Sequence, residues 1–367
     1  MSTHRRGVRL RRGRVTALGT SRPGALEIEV DVEGDRSPAL AYPELTGPIA
    51  LGDSVVVNTT AVSLGLGTGG VHLVVAVEGA NPSDDLPPGR VMKARYTPLQ
   101  IAVQTLEETH RDRIDGSRGL GGMPVVCAPL HSMIAPIAAG AMAAGAERVV
   151  YVMTDGAALP GWFSRLVPRL QTAGLLHGFI TSGQSFGGTH EAVTLWTALL
   201  GAKEVLDADV VVVADGPGNL GTDTRWGVSA LGSGVSLNAA SLLGGRPVAA
   251  LRMSFADHRP RHRGVSHHSL TILGQVCTVQ VNVAVPTLEG AERNAVWDAL
   301  RTAALEERHQ LVEADGRPAL AELERAGVRS ESMGRTPVDD PPFFLAAGAA
   351  GVLAGRMVAG ARTWHRG

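Results

Sequence analysis

From about residue 95 onward, short runs rich in valine and alanine alternate with amphipathic or alanine-rich helical stretches. No other feature constrains the fold as much, because strands alternating with helices build βαβ units and hence a mostly parallel sheet. A helix-like stretch, Leu99 to Arg113, comes first. β-like runs come next, at 124–128, 148–153, 178–181, 209–214, 247–253 and 277–285. Helices are expected near 133–144, 161–173, 189–202, 226–243, 267–274 and 290–308. Gln310–Ala314 and Pro318–Ala326 supply one more unit, and an alanine-rich helix near 342–360 closes the chain. Six or seven strands are fewer than a (β/α) barrel needs. The expected class is therefore α/β, with a mostly parallel, doubly wound, Rossmann-like sheet of six or seven strands.

Residues 8–79 read as all-β: short apolar runs separated by glycine and proline. Leu26-Glu27-Ile28-Glu29-Val30-Asp31-Val32 alternates as a strand with one wet face does. The organisation this implies is a small β-barrel or sandwich over residues 1–80, a Pro- and Asp-containing linker at 81–94, and an α/β domain with a C-terminal helix over 95–367. Arg5, Arg6, Arg9, Arg11, Arg12 and Arg14 crowd the start. They are read as a frayed terminus and the solvated face of a first strand rather than as a nucleic-acid patch.

A net charge of −1 over 367 residues argues against a polyanion partner. Nucleic acid is not expected. Cys127 and Cys277 both sit in apolar β-like runs and read as buried thiols, which fits a reducing cytoplasm. No apolar signal region follows the arginines. The uncharged stretch Met123–Ala146 is broken by prolines, and the apolar tail Phe343–Gly355 is too short to span a bilayer, so no membrane partner is expected.

The functional signal lies in the loops just after the strands. His131-Ser132 comes after the first run, Thr154-Asp155-Gly156 after the second, Ser182-Gly183-Gln184 after the third and Asp215-Gly216-Pro217-Gly218-Asn219-Leu220-Gly221 after the fourth. In a parallel sheet these loops share one edge, where open α/β folds bind ligands. The glycines Gly216, Gly218 and Gly221 match a phosphate-cradling pattern. Pro217 removes one amide donor, however, and the next helix starts late, so the loop reads as a ligand-lining turn and not a dinucleotide fingerprint. Gly65-Leu-Gly67-Thr-Gly69-Gly70 precedes a strand and reads as a turn.

The loop after the fifth run is the densest. Residues 252–268 hold His258, His262, His267 and His268, four of the chain's twelve histidines, among Arg252, Arg259, Arg261, Arg263 and Asp257. Arginine forks suit phosphate or carboxylate. Ser266 stands where it would cap a helix starting at His267. A metal is the competing reading, but neither H-x-x-x-H nor H-E-x-x-H is present. Each arginine would also repel a cation by roughly 4 kcal/mol at 4 Å in an effective dielectric near 20. Asp155, Asp215 and Asp223 could offset that repulsion. No metal ligand is assigned and no cofactor is named.

Asn58–Gly70, Met153–Pro160 and Arg261–His268 resemble a bacterial family known only as a domain of unknown function. The resemblance spans nearly the whole chain and implies no reaction. The reading carried forward is a cytoplasmic enzyme acting on a small anionic, phosphorylated or carboxylated metabolite. His262, His267, His268, Asp257, Asp155 and Asp215 are the candidate catalytic groups. Arg259, Arg261, Arg263, Gln184, Gly216, Gly218, Gly221 and His131 are the candidate ligand-binding groups. A non-catalytic ligand sensor, a metal-dependent hydrolase and a structural homo-oligomer stay open as alternatives.

Overall fold

The structure, a computed structural model, describes residues 7–66, 70–80, 89–222 and 224–364. Arg5, Arg6, Gly67, Gly69, Asp223 and most of the expected linker (81–88) lie outside the described residues. The chain divides into two compact units, Met1–Ala102 and Val103–Gly367.

The first unit holds β1 (Leu10–Arg22), β2 (Ala25–Val32), β3 (Asp35–Ala41), α1 (Pro43–Thr46), β4 (Ser54–Asn58), α2 (Thr60–Ser63) and β5 (His72–Val77). The five strands close into a barrel in the order β1-β2-β3-β5-β4. Strand alternation decides its inside: Ile28, Val30 and Val32 pack with Val15, Val55, Val57 and Val74, while Glu27, Glu29 and Asp31 stay at the wet face. Arg11 and Arg12 lie on β1 and pair with Glu33 (3.0 Å) and Glu78 (2.8 Å); of these arginines Arg12 and Arg14, both exposed and two residues apart, share the solvated strand face that was expected. Within the expected linker the chain forms a short strand, β6 (Val91–Lys93), paired with β7 (Ile101–Val103).

The second unit continues with α3 (Leu106–Thr109), α4 (Arg111–Asp115), β8 (Pro124–Cys127), α5 (Ile134–Ala143), β9 (Val149–Thr154), α6 (Leu166–Thr172), β10 (Gly178–Thr181), β11 (His190–Glu191), α7 (Leu195–Glu204) and β12 (Val210–Asp215). After these come α8 (Gly232–Leu242), β13 (Arg246–Ala250), β14 (Met253–Ser254), β15 (Gly264–Val265), α9 (His267–Thr271), β16 (Asn282–Pro286), α10 (Gly290–Thr302), β17 (Gln310–Ala314), α11 (Arg317–Arg325) and α12 (Pro341–Trp364). Eight strands form one sheet in the order β11-β10-β9-β12-β8-β13-β16-β17, and every neighbouring pair is parallel.

The expected count of six or seven strands is corrected to eight. The extra strand is β11, two residues where a helix was expected to begin. Glu191 holds it there: its carboxylate accepts from Thr181 Oγ1 (2.6 Å) and Gly187 N (2.7 Å). The helix starts later, where Thr194 caps Thr197. The expected helix Leu99–Arg113 is likewise replaced by β7, α3 and α4, because the Thr105–Glu108 capping box starts the helix only after residue 105. In the expected strand 277–285, a π-turn at Ile272–Val276 delays extended pairing to residue 282.

Alternate residues of each strand serve opposite faces. Val126, Tyr151, Val212 and Val248 pack under α5, α6, α11 and α12; Val125, Val150, Val211 and Ala249 pack under α7, α8 and α10. Cys127 and Cys277 are both buried and unbridged.

α12 is long and apolar enough to cross a membrane by length and composition, and extends well beyond the apolar tail read from the sequence. It is spent on packing instead: it lies on α5, α11 and the sheet through Phe343, Phe344 and Leu353. Small residues let the two backbones meet. A Cβ on Gly351 would lie 2.0 Å from Ile137 O, and one on Gly140 would lie 2.5 Å from Gly348 O. Gly351→Ala should therefore lower stability by about 1–3 kcal/mol through overpacking. Gly360→Ala, with nothing within 4 Å of its would-be Cβ, should be neutral or stabilise by up to about 1 kcal/mol. Urea unfolding of both variants checks the pair.

Candidate functional site

The chain leaves neighbouring strand ends in opposite directions near the middle of the sheet. After β8 and β9 it runs to α5 and α6 on one face. After β12 and β13 it runs to α8 and α9 on the other. β8 lies between β12 and β13, so the loops at its C-terminal end part and leave a crevice. A cavity of about 320 Å³ opens there. The β8 loop contributes Pro129 and Leu130, and the β12 loop Asn219, Leu220, Gly221 and Thr222. The β13 loop contributes Arg252, Arg259, Arg261, His262 and His268, and Met333 comes from the segment before α12.

The arginine loop is built as a hairpin. β14 and β15 pair antiparallel, Met253 opposite Val265 and Ser254 opposite Gly264, so residues 255–263 project as one loop. Asp257, 2% exposed, anchors it. Its carboxylate receives a fork from Arg259, Nε to Oδ1 at 3.0 Å and Nη2 to Oδ2 at 2.7 Å. Arg252 and Arg335 stand 3.8 Å away. The hydrogen bonds from Arg259 hold the Asp257 carboxyl well below the usual carboxylate range. Ser254 Oγ accepts from Asp257 N (2.9 Å) and donates to Asp340 (2.6 Å), which also pairs with Arg335 at 3.5 Å. Asp257 thus orients arginines, not a histidine. Arg335 and Asp340 complete this frame.

The histidines gather beside it. His262 ends a 3₁₀ turn, Pro260–His262, and His267 and His268 open α9. Ser266 caps that helix as expected: its Oγ accepts from His268 N at 3.3 Å, and it also meets His262 Nδ1 at 2.9 Å. Ring centroids lie 5.1 Å apart for His262–His267, 5.0 Å for His262–His268 and 4.0 Å for His267–His268. Burial first, then the charges of Arg252 and Arg259, pushes His262 down to about 3. Burial, His267 and Arg252 push His268 down to about 4. His267 is lowered by burial, Arg261 and Arg252. All three imidazoles are therefore neutral at pH 7. His268 lines the arginine cavity, whereas His267 lines a second cavity of about 430 Å³ with Arg225 and Thr271. His258 and Arg263 are exposed and line neither cavity.

Of the other expected residues, Asp155, Gln184, Asp215, Gly216, Gly218 and His131 do not line this cavity. Asp155 is exposed, and its carboxylate accepts from Gln184 N (2.8 Å), closing the β10 loop. Asp215 is buried, which raises its pKa, and it accepts from Thr154 Oγ1 (2.6 Å) and Gly156 N (3.1 Å). These acids tie loops together on the β9 side of β12. Of the three glycines only Gly221 lines the cavity. Gly216 lets the backbone pass Ala158, and Gly218 turns at φ +87°. α8 begins only at Gly232, eleven residues after Gly221, so it does not directly follow the glycine loop as a phosphate-cradling turn requires.

His131 is wired into the core. Val167 N and Leu166 N donate to Ser164 Oγ, and Ser164 meets His131 Nε2 at 2.8 Å. His131 Nδ1 meets the Tyr151 hydroxyl (3.2 Å), which donates to Asp215 O (3.0 Å). A single neutral tautomer satisfies every link, with Ser164 donating to Nε2 and Nδ1–H donating to Tyr151.

The chain belongs to DUF3866, a family of proteins of unknown function, whose model matches residues 38–351. No curated protein matches the sequence. The family match assigns no reaction, so the geometry alone carries the functional reading.

Burial pushes His131 down to about 4, whereas an unfolded histidine titrates near 6.5. Below pH 6.5 the unfolded chain takes a proton that the native state refuses. The stability due to His131 is therefore full above 6.5 and is lost as pH falls toward 4, by about 2 kcal/mol between pH 7 and pH 5. His131→Gln should be less stable at pH 7 but lose less between pH 7 and 5. Equal pH slopes for the two proteins in urea titrations would remove His131 as the cause.

Proposed function

We propose that this protein is an enzyme acting on a small anionic metabolite, phosphorylated or carboxylated, held at the C-terminal edge of a doubly wound, Rossmann-like sheet. One observation carries the reading: a cavity at the crevice beside β8 gathers Arg252, Arg259 and Arg261 with the neutral imidazoles of His262 and His268. Guanidinium groups in a partly buried cavity favour a carboxylate or phosphate, where charge-assisted hydrogen bonds are strong. Arg259 and Arg261 hold the anion, Arg259 preset by its fork on Asp257. A neutral imidazole at the cavity wall takes or gives the proton. The buried free thiols Cys127 and Cys277 fit a cytoplasmic protein.

Inorganic phosphate or sulfate should raise the melting temperature by binding the native state. Arg261→Gln, which removes a cavity charge and leaves the Asp257 fork intact, should weaken phosphate binding by about 10-fold or more. It should shift the melting temperature of the unliganded protein little. Calorimetric titration that finds no anion binding, or binding indifferent to Arg261, would overturn the reading.

A further inference from the structure

We propose that His262, His267 and His268 form a three-histidine site for a divalent transition-metal ion, with zinc as the reference ion. One ring nitrogen from each residue lies within 4.8 Å of the others. In a tetrahedral zinc site with bonds of about 2.0–2.1 Å, ligand nitrogens stand about 3.4 Å apart, so small side-chain rotations close the set.

The second observation concerns the nitrogens themselves. His267 Nε2 and both ring nitrogens of His268 are buried with no hydrogen-bond partner. Burying a polar group without a partner is costly, and such groups are rare in folded proteins. None has a protein partner, and an ion bound through one nitrogen of each ring would satisfy His267 and one of the two His268 nitrogens. His262 is already oriented for it. With Nδ1 donating to Ser266 Oγ at 2.9 Å, Nε2 is the nitrogen left for an ion, the arrangement by which outer groups fix the tautomer of a ligating histidine.

The neighbouring arginines are the objection, and the geometry answers it in part. Arg252, Arg259 and Arg335 all stand within 3.8 Å of the buried Asp257, and Arg335 also pairs with Asp340. The two buried carboxylates offset part of the positive charge that Arg252 and Arg259 exert on the rings, and Arg261 adds its own. The ion also has a second approach, since His267 lines the neighbouring cavity, where Arg225 is the only arginine among the described lining residues. Three histidines leave a coordination position open. As His268 also lines the arginine cavity, a water or anion oxygen there would meet the ion directly. The metal site does not depend on the anion reading, and either can fail alone.

The test is metal uptake by the full chain. Chelator-stripped protein is equilibrated with zinc, passed through a desalting column and assayed by mass spectrometry. One zinc per chain is expected. Cobalt(II) substituted for zinc should give the visible bands of tetrahedral coordination. His267→Ala, at a half-buried position, should abolish stoichiometric uptake, and His268→Gln should do the same with a smaller packing change. Ser266→Ala should weaken binding by about 10-fold. His177→Ala, an exposed histidine outside the cluster, and Arg261→Gln should leave uptake intact. Wild-type protein that retains no zinc after desalting overturns the proposal, whatever the variants do. So does one ion per chain that survives both histidine substitutions. Uptake that persists in Arg261→Gln while phosphate binding is lost supports both readings as separate properties.

Discussion

A sheet whose eight strands all run the same way must be covered on both faces, and that requirement organises the second unit. The inner strands bury both of their faces, which is why their runs read as continuous apolar segments rather than alternating ones. The cover on one side is supplied largely by α12, and it fits only because glycine and alanine let it lie on α5 at backbone distance. The functional consequence lies at the strand ends. With β8 leading to one face and its neighbours β12 and β13 to the other, the loops there cannot fill the space between them. The cavity is what the winding leaves over.

Into that space the chain places more positive charge than a folded interior tolerates without compensation. The segment 252–268 carries Arg252, Arg259, Arg261 and Arg263, with Asp257 its only acid. Burying a charge without a partner costs several kcal/mol. Two devices reduce that cost. Asp257 and Asp340, both 2% exposed, take Arg252, Arg259, Arg335 and Ser254 into one frame. The histidines meanwhile give up their protons and add no charge. Arg261 lines the cavity beside that frame.

The second unit's fold was legible in the sequence because its strands are buried runs of valine separated by helices, a pattern fixed locally. The errors fall where local propensity was overruled by particular polar contacts. Glu191 pulls 190–191 into a strand, the Thr105–Glu108 box sets a later helix start, and after the turn at Ile272–Val276 residues 277–281, which read as β, stay outside the strand. The site was legible as a segment but not as a place. Which loops share the cavity depends on β12 entering the sheet between β9 and β8, and no residue near a strand end encodes that order. Asp155, Gln184 and Asp215 therefore shared the right edge without reaching the arginines. His131 carried no outward sign of its buried partners Tyr151 and Ser164, which lie 20 and 33 residues away.

The histidine cluster shows the same limit at closer range. Neighbouring residues at a helix start point about 100° apart, and His267 and His268 do face different cavities. Spacing alone therefore argues against a shared role. Their rings nonetheless lie 4.0 Å apart, and the third, His262, is no helical neighbour of either: it is carried back to α9 by the β14–β15 hairpin. Gly264, at φ +73°, starts the returning strand, and Ser266 fastens the end of the loop by bonding both His262 Nδ1 and His268 N. A side chain at Gly264 would strain a left-handed backbone, and loss of the Ser266 hydroxyl would free the His262 ring and uncap the helix turn that carries His268. The residues that decide whether three imidazoles act together are thus a glycine and a serine, neither of which any ligand motif would have singled out.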